Sequence, residues 1–340
     1  MNIYRRYFKN DIINKKTTYR GDFMLYPTHK KYGILWGLLM IPVAVSIGFI
    51  PMISAEMRNG DLMLILLTIY MGMRGALFGA RFPDVDSASS IPAKRHPILR
   101  KIFVRFGVKH RGKYSHDYFW IAVTFATVYI LIKYCGTFVL NILAQGSNPM
   151  NLIVYLGGMV FIYIIGIDIV EFFQWVANVQ KNKKMWAILE KHQFKLAFIN
   201  VAIMFTVLLF SGFIDIKSII TGQVSVGSAV TILTMLIITS KVYVLFAWAG
   251  AFSHLFADMS TKTGVSIFGI KLAPAQVILK VKKIPLIGAL LVPTEFRTGS
   301  KWEDFNNFVV TILCIPASIL AILFLVGFNV KEVLKLLGMG

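Results

Sequence analysis

Between residues 81 and 119 the chain sets Asp84, Asp86, His96, His110, His116 and Asp117 into a polar stretch flanked by two apolar ones. Carboxylates and imidazoles are the side chains that bind divalent metals such as zinc, manganese and iron. Asp84 and Asp86 lie two apart behind Pro83, and His110 and His116 bracket Arg111, Gly112 and Ser115. Far along the chain, His254 and Asp258 are four apart. On a helix that spacing places both on one face, about one turn separated. His29 stands just before the first apolar run.

Each element has a plainer reading by itself. Asp-x-Asp after proline is ordinary turn chemistry. A His–Asp pair at i and i+4 makes a simple hydrogen bond at a helix end. Together, His29, Asp84, Asp86, His110, His116, His254 and Asp258 are expected to hold one or two metal ions. Zinc is the first choice, with manganese, iron or magnesium as alternatives. Two ions sharing a carboxylate suit hydrolysis, because they clamp both the attacking and the leaving oxygen. Arg111 and Arg297 carry the planar cationic fork that fits a phosphate, or else meet lipid headgroups. Glu303 is a candidate to orient or deprotonate water, or a solvated loop acid. His96 and His192 lie among basic residues and are read as surface histidines.

Helices must bring these residues together, and the composition says of what kind. Of 340 residues, 56% are hydrophobic, and the mean hydropathy is +0.68. Several runs exceed the ~18 apolar residues that mark a membrane-spanning helix. The expected fold is all-α, a polytopic transmembrane bundle with the metal site at its cytoplasmic face. Seven spans are expected, at about 33–55, 61–80, 117–136, 151–176, 196–214, 228–256 and 307–328. Residues 1–31 form a basic arm without a cleavable signal peptide, 32–328 a single helical domain with loops 81–116 and 259–305, and 329–340 a tail.

The net charge is +20. In a soluble protein this would point to nucleic acid. In a membrane protein, Lys and Arg collect on cytoplasmic loops and touch anionic headgroups, so no specific nucleic acid is expected. Under the seven-span map, 29 Lys and Arg fall on one side and only Arg58, Lys217, Lys331 and Lys335 on the other. The expectation is a multi-pass protein of the cytoplasmic (inner) membrane, N-terminus inside, with every candidate ligand at the inner face. Arg74, Asp168, Glu171 and Lys241 lie within spans and should pair inside the bundle. Cys135 and Cys314 fit neither a metal nor a disulfide pattern.

The motifs resemble a known family. Thr28-His29, Pro83-Asp84-Val85-Asp86, His110-Arg111-Gly112 with Ser115-His116, His254 with Asp258, and Arg297-Thr298-Gly299-Ser300 with Glu303 are similar to the YdjM-type family. Those are LexA-regulated, membrane-bound, metal-dependent hydrolases with motifs likened to zinc-dependent phospholipase C. The resemblance implies that the seven His and Asp residues named above are the metal ligands. The chain departs from the pattern at Asp117, where serine is expected, and in the long arm before His29. The expected activity is metal-dependent hydrolysis of a phosphoester or lipid-linked substrate, through a metal-bound water whose pKa falls to about 7 in favourable cases. Alternatives are a divalent-metal transporter and a non-catalytic membrane scaffold with a structural metal.

Overall fold

Long apolar runs fold as α-helices in the computed structural model of the chain, which describes residues 26–53, 59–87, 90, 92–93, 97–108, 112, 114–144, 166, 170, 173, 183–210, 226–258, 265–267, 270–272, 301–329, 331–332 and 335. The helices are α1 (Tyr26–Ser46), α2 (Asn59–Gly79), α3 (Pro97–Arg105), α4 (Tyr118–Ala144), α5 (Lys183–Phe210), α6 (Val226–Asp258) and α7 (Lys301–Leu325). A 3₁₀ turn, Pro83–Asp86, lies between α2 and α3. Three segments are long and apolar enough to cross a membrane: Tyr118–Ile142, Leu233–Asp258 and Asp304–Leu325. These are the proportions of a membrane protein. Within α2, Leu64–Gly79 is a shorter apolar helix.

Six of the seven expected stretches carry a long helix, and several boundaries differ. The first helix runs over Tyr26–Ser46 rather than 33–55. Apolar composition continues past Ser46, but Gly48 adopts φ +74°. Gly48 N–H donates to Val45 O and Phe49 N–H to Ala44 O. This paired bonding closes the helix although the residues beyond it are apolar enough to continue. Gly327, at φ +98°, ends α7 in the same way. Helix α5 begins at Lys183, inside the expected basic link, because KKMWAILEKHQ is made largely of good helix formers. The fourth stretch, 151–176, lies outside the described residues except for 166, 170 and 173.

Two features were not expected in the loops. The 81–116 segment contains α3, whose Phe103 ring packs edge-on against Phe82 at 5.4 Å. The 259–305 segment contains a short antiparallel hairpin, β1 (Val265–Ile267) and β2 (Ile270–Leu272), with Val265 opposite Leu272. Its β-branched Val265, Ile267 and Ile270 suit a strand. It is the one departure from helix among the regular elements described, apart from the 3₁₀ turn.

The chain divides into two compact units, residues 1–130 with 239–340, and residues 131–238. In the first unit α1 packs against α7 and α2. One core cluster joins Ile41, Ala44, Ile65, Ala76, Val242, Phe246 and Ala321. A second joins Tyr32, Leu35, Ala257, Val310 and Ala317. Helices α2 and α6 approach unusually closely. A Cβ on Gly75 would strike Tyr243 O, one on Gly79 would strike Ala247 O, and one on Gly250 would strike Ala76 O. Small residues three to four apart let helix backbones meet in this way without an aqueous hydrophobic force.

Candidate metal centre

That close approach delivers the first ligand candidate. Ala80 follows α2, and its carbonyl accepts a 2.9 Å hydrogen bond from His254 Nδ1 on α6. With Nδ1 held by that carbonyl, Nε2 is the nitrogen that points into the cluster. His254 is fully buried, and its Nε2 makes no hydrogen bond. It faces Asp258 Oδ2 at 3.5 Å and Asp84 Oδ1 at 3.7 Å.

Three further segments converge on this point. His29, in the first turn of α1, stacks on the His254 ring at 3.9 Å with an interplanar angle of 16°. Its Nε2 lies 3.7 Å from Asp258 Oδ1. Asn307 of α7 donates to Thr28 Oγ1 at 3.0 Å, and Tyr32 donates to Asn306 Oδ1 at 3.0 Å, so α7 fixes the start of α1. His29 lies ahead of the apolar part of α1. Burial, then the neighbouring His254 ring, lowers its pKa from 6.5 to about 4, against the pull of Asp258 and Asp84. It thus offers a neutral nitrogen at pH 7. His116, just before α4, places Nε2 3.6 Å from Asp258 Oδ2. Asp117 caps α4, its carboxylate accepting from Phe119 N–H at 2.9 Å. Asp84 and Asp86 leave the 3₁₀ turn in different directions, as residues two apart at three per turn must.

The distances decide what this cluster is suited to hold. At 3.5–3.7 Å the His–Asp contacts with Asp258 and Asp84 are longer than the ~2.7–3.2 Å of good hydrogen bonds. Two atoms each ~2.0–2.2 Å from one tetrahedral ion stand about 3.3 Å or slightly more apart. Burying imidazoles and carboxylates at such separations is costly, and a shared cation offsets that cost. Two overlapping groups have ligand atoms within 4.8 Å of one another: His29, His254 and Asp258, and Asp84, His116 and His254. Asp258 joins them, with Oδ1 toward His29 and Oδ2 toward His116 and His254. His29, His116, His254 and Asp258 are all no more than 3% exposed, while the Asp84 side chain is 26% exposed. Of these five residues, Asp84 is the one that reaches solvent.

Asp86 occupies a different place from Asp84. It receives a 2.5 Å hydrogen bond from Ser115 Oγ and lies 3.3 Å from His116 Nδ1. That is the position of a carboxylate that orients a ligating histidine from behind. Replacing Asp86 with Asn is expected to weaken metal binding about 10–100-fold while the chain still folds. A chelator-competition titration of the purified protein measures this, and an unchanged affinity would refute the role.

Of the residues picked out by sequence, five meet at the cluster and Asp86 backs it. His110, Arg111 and Arg297 lie outside the described residues, as does His96. Glu303 falls in the first turn of α7, with its side chain outside the description. His192 lies in α5, in the other unit. Asp168 and Glu171 are also outside the described residues, so their pairing with Arg74 lies there too. The Ala80 carbonyl and Asn307 have no signature a motif search would find, since a backbone oxygen and a lone amide acquire roles only through packing.

No family model matches this chain, no curated protein matches it, and no solved structure matches it.

Proposed function

We propose that the chain is a multi-pass membrane protein that binds a divalent metal and hydrolyses a phosphoester or lipid-linked substrate at the membrane surface. The observation that carries this reading is the meeting of His29, Asp84, His116, His254 and Asp258, from four distant segments, at metal-sharing distances. His254, His116, Asp258 and Asp84 are the residues that would hold one ion. His29 with Asp258 Oδ1 would hold a second or adjoin the first. A bound divalent ion supplies Lewis acidity and an activated water. The protein's own part is to orient and exclude. Ala80 and Asp86 fix two imidazoles, the buried walls keep bulk water out, and Asp84 forms the entrance.

Zinc suits the histidine-rich donor set best. The resemblance to YdjM-type hydrolases supports the reaction class, and Arg111, Arg297 and Glu303 remain the proposed substrate-side residues. The seven-span map, with the cluster at the cytoplasmic leaflet of the inner membrane and the N-terminus inside, accounts for the basic loops. A scaffold role for a structural metal draws on one observation, the near-complete burial of four of the five ligand candidates. Asp84, partly exposed, favours the enzyme.

The test is metal analysis of the purified wild type beside His116→Ala, followed by a phosphodiesterase screen on lipid substrates. Wild type is expected to carry near-stoichiometric metal and His116→Ala far less. Equal metal in both, or none in wild type, would refute the centre. Metal without hydrolysis of any phosphoester would favour the scaffold.

A further inference from the structure

A groove of about 360 Å3 opens on the first unit, walled by Ile47, Phe49, Phe125, Tyr129, Val244 and Trp248 among others. Its walls expose only apolar surface, and its size falls within the ~300–1,000 Å3 of small-molecule sites. Most of its lining comes from α4 and α6, both long and apolar enough to cross a membrane. With α4 and α6 across a bilayer, the groove would meet hydrocarbon rather than water.

The same two helices lead to the His/Asp cluster. Trp248 lies six residues before His254 on α6, about 9 Å at 1.5 Å per residue. Phe125 lies seven residues beyond Tyr118, the start of α4, about 10 Å along that helix. Aromatic contacts bridge both intervals. Trp248 meets Phe252 at 5.5 Å, and Phe252 meets Tyr118 at 5.3 Å, next to His116 and Asp117. On the other side Phe125 meets Phe82 at 5.3 Å, which directly precedes Pro83 and Asp84. The groove and the cluster thus share packed aromatic walls, with Phe125 and Phe82 buried between them.

We propose that this groove holds the hydrocarbon chain of a membrane lipid whose phosphate-bearing headgroup reaches the His/Asp cluster. The headgroup half rests on the reading of the cluster as a metal centre; the chain half rests on the groove alone. The near edge of the groove, at Trp248 and Phe125, lies about two helix turns from the cluster, and Val244, Tyr129 and Ile130 carry it farther away, as an extended chain attached to a headgroup at the cluster requires. Ile47 and Ile130, half exposed at the edge, leave it open for a chain to enter sideways.

The experiment is photolabelling of the full chain in detergent with a phospholipid carrying a diazirine in one acyl chain, mapped by mass spectrometry. Adducts are expected to concentrate at 125–130 and 244–248. Ala126→Trp, which puts an indole across the groove from an exposed position, is expected to lower them about tenfold, a modest loss of contact energy. Val128→Trp, on the same helix but outside the lining, is expected to leave them unchanged. Adducts spread evenly over the apolar helices, or undiminished in Ala126→Trp, would overturn the proposal. Metal content of the same samples separates the two readings. A labelled groove without metal supports the chain site and refutes the metal centre, while metal without groove labelling does the reverse.

Discussion

A Gly79→Val chain is expected to lose the packing of its first unit and, with it, the metal binding proposed for the His/Asp cluster. A Cβ at Gly79 would lie inside the van der Waals surface of Ala247 O, with Ala247 C and Ala251 N close behind. All three are backbone atoms of a helix, so no rotamer change makes room. Overpacking costs typically ~1–3 kcal/mol, and more when the obstacle cannot move. The valine must therefore push α2 from α6. That motion pulls the Ala80 carbonyl away from His254 Nδ1, now 2.9 Å apart, and frees the imidazole to turn. The informative control is Gly37→Ala. Its nearest obstacles are Met73 Sδ at 2.9 Å, in a flexible side chain that can swing aside, and Ala76 Cβ at 3.0 Å, which needs to give only a few tenths of an ångström. Thermal unfolding in detergent, paired with metal analysis, should show a large loss for Gly79→Val and a small one for Gly37→Ala. Equal melting of Gly79→Val and wild type would mean the helices do not approach as described.

That prediction rests on a feature the sequence displays and composition cannot interpret. Gly75-x-x-x-Gly79 is visible in the string of letters, yet glycine pairs are common and only the facing helix gives this one a purpose. The long helices themselves were legible, because a membrane span needs nothing more than enough apolar residues in a row. Their ends were less so. Hydropathy carries past Ser46 into Ile47, Phe49 and Ile50, and the helix stops at Gly48 for a reason of backbone geometry. The His/Asp cluster was legible because histidines and aspartates near helix ends are scarce in so apolar a chain. What spacing could not show was how Asp84 and Asp86 divide their tasks. Two residues apart in a 3₁₀ turn, they face different histidines, one toward His254 and one behind His116. Asp117 caps α4 through Phe119 N–H, a role that serine can also play.

The largest functional effect is expected at Asp258, since its two oxygens face three imidazoles. Asp258→Asn keeps the shape and removes the charge, so packing around Ala257 and Leu255 is preserved while the shared anionic ligand is lost. The consequence comes from linkage. A metal that binds only the folded chain stabilises it by an amount set by its concentration over Kd, about 4 kcal/mol at a thousandfold excess. Wild type should therefore melt much higher with metal than after chelation. In Asp258→Asn the gap should shrink below about 1 kcal/mol, as expected when the metal barely exceeds its Kd. The comparison within each variant matters more than the comparison between them. Stripped of metal, the two chains differ by a buried carboxylate whose desolvation and pairing oppose each other. Metal raising both chains equally would place the ion away from Asp258, and the cluster would then be a set of buried His–Asp pairs rather than a binding site.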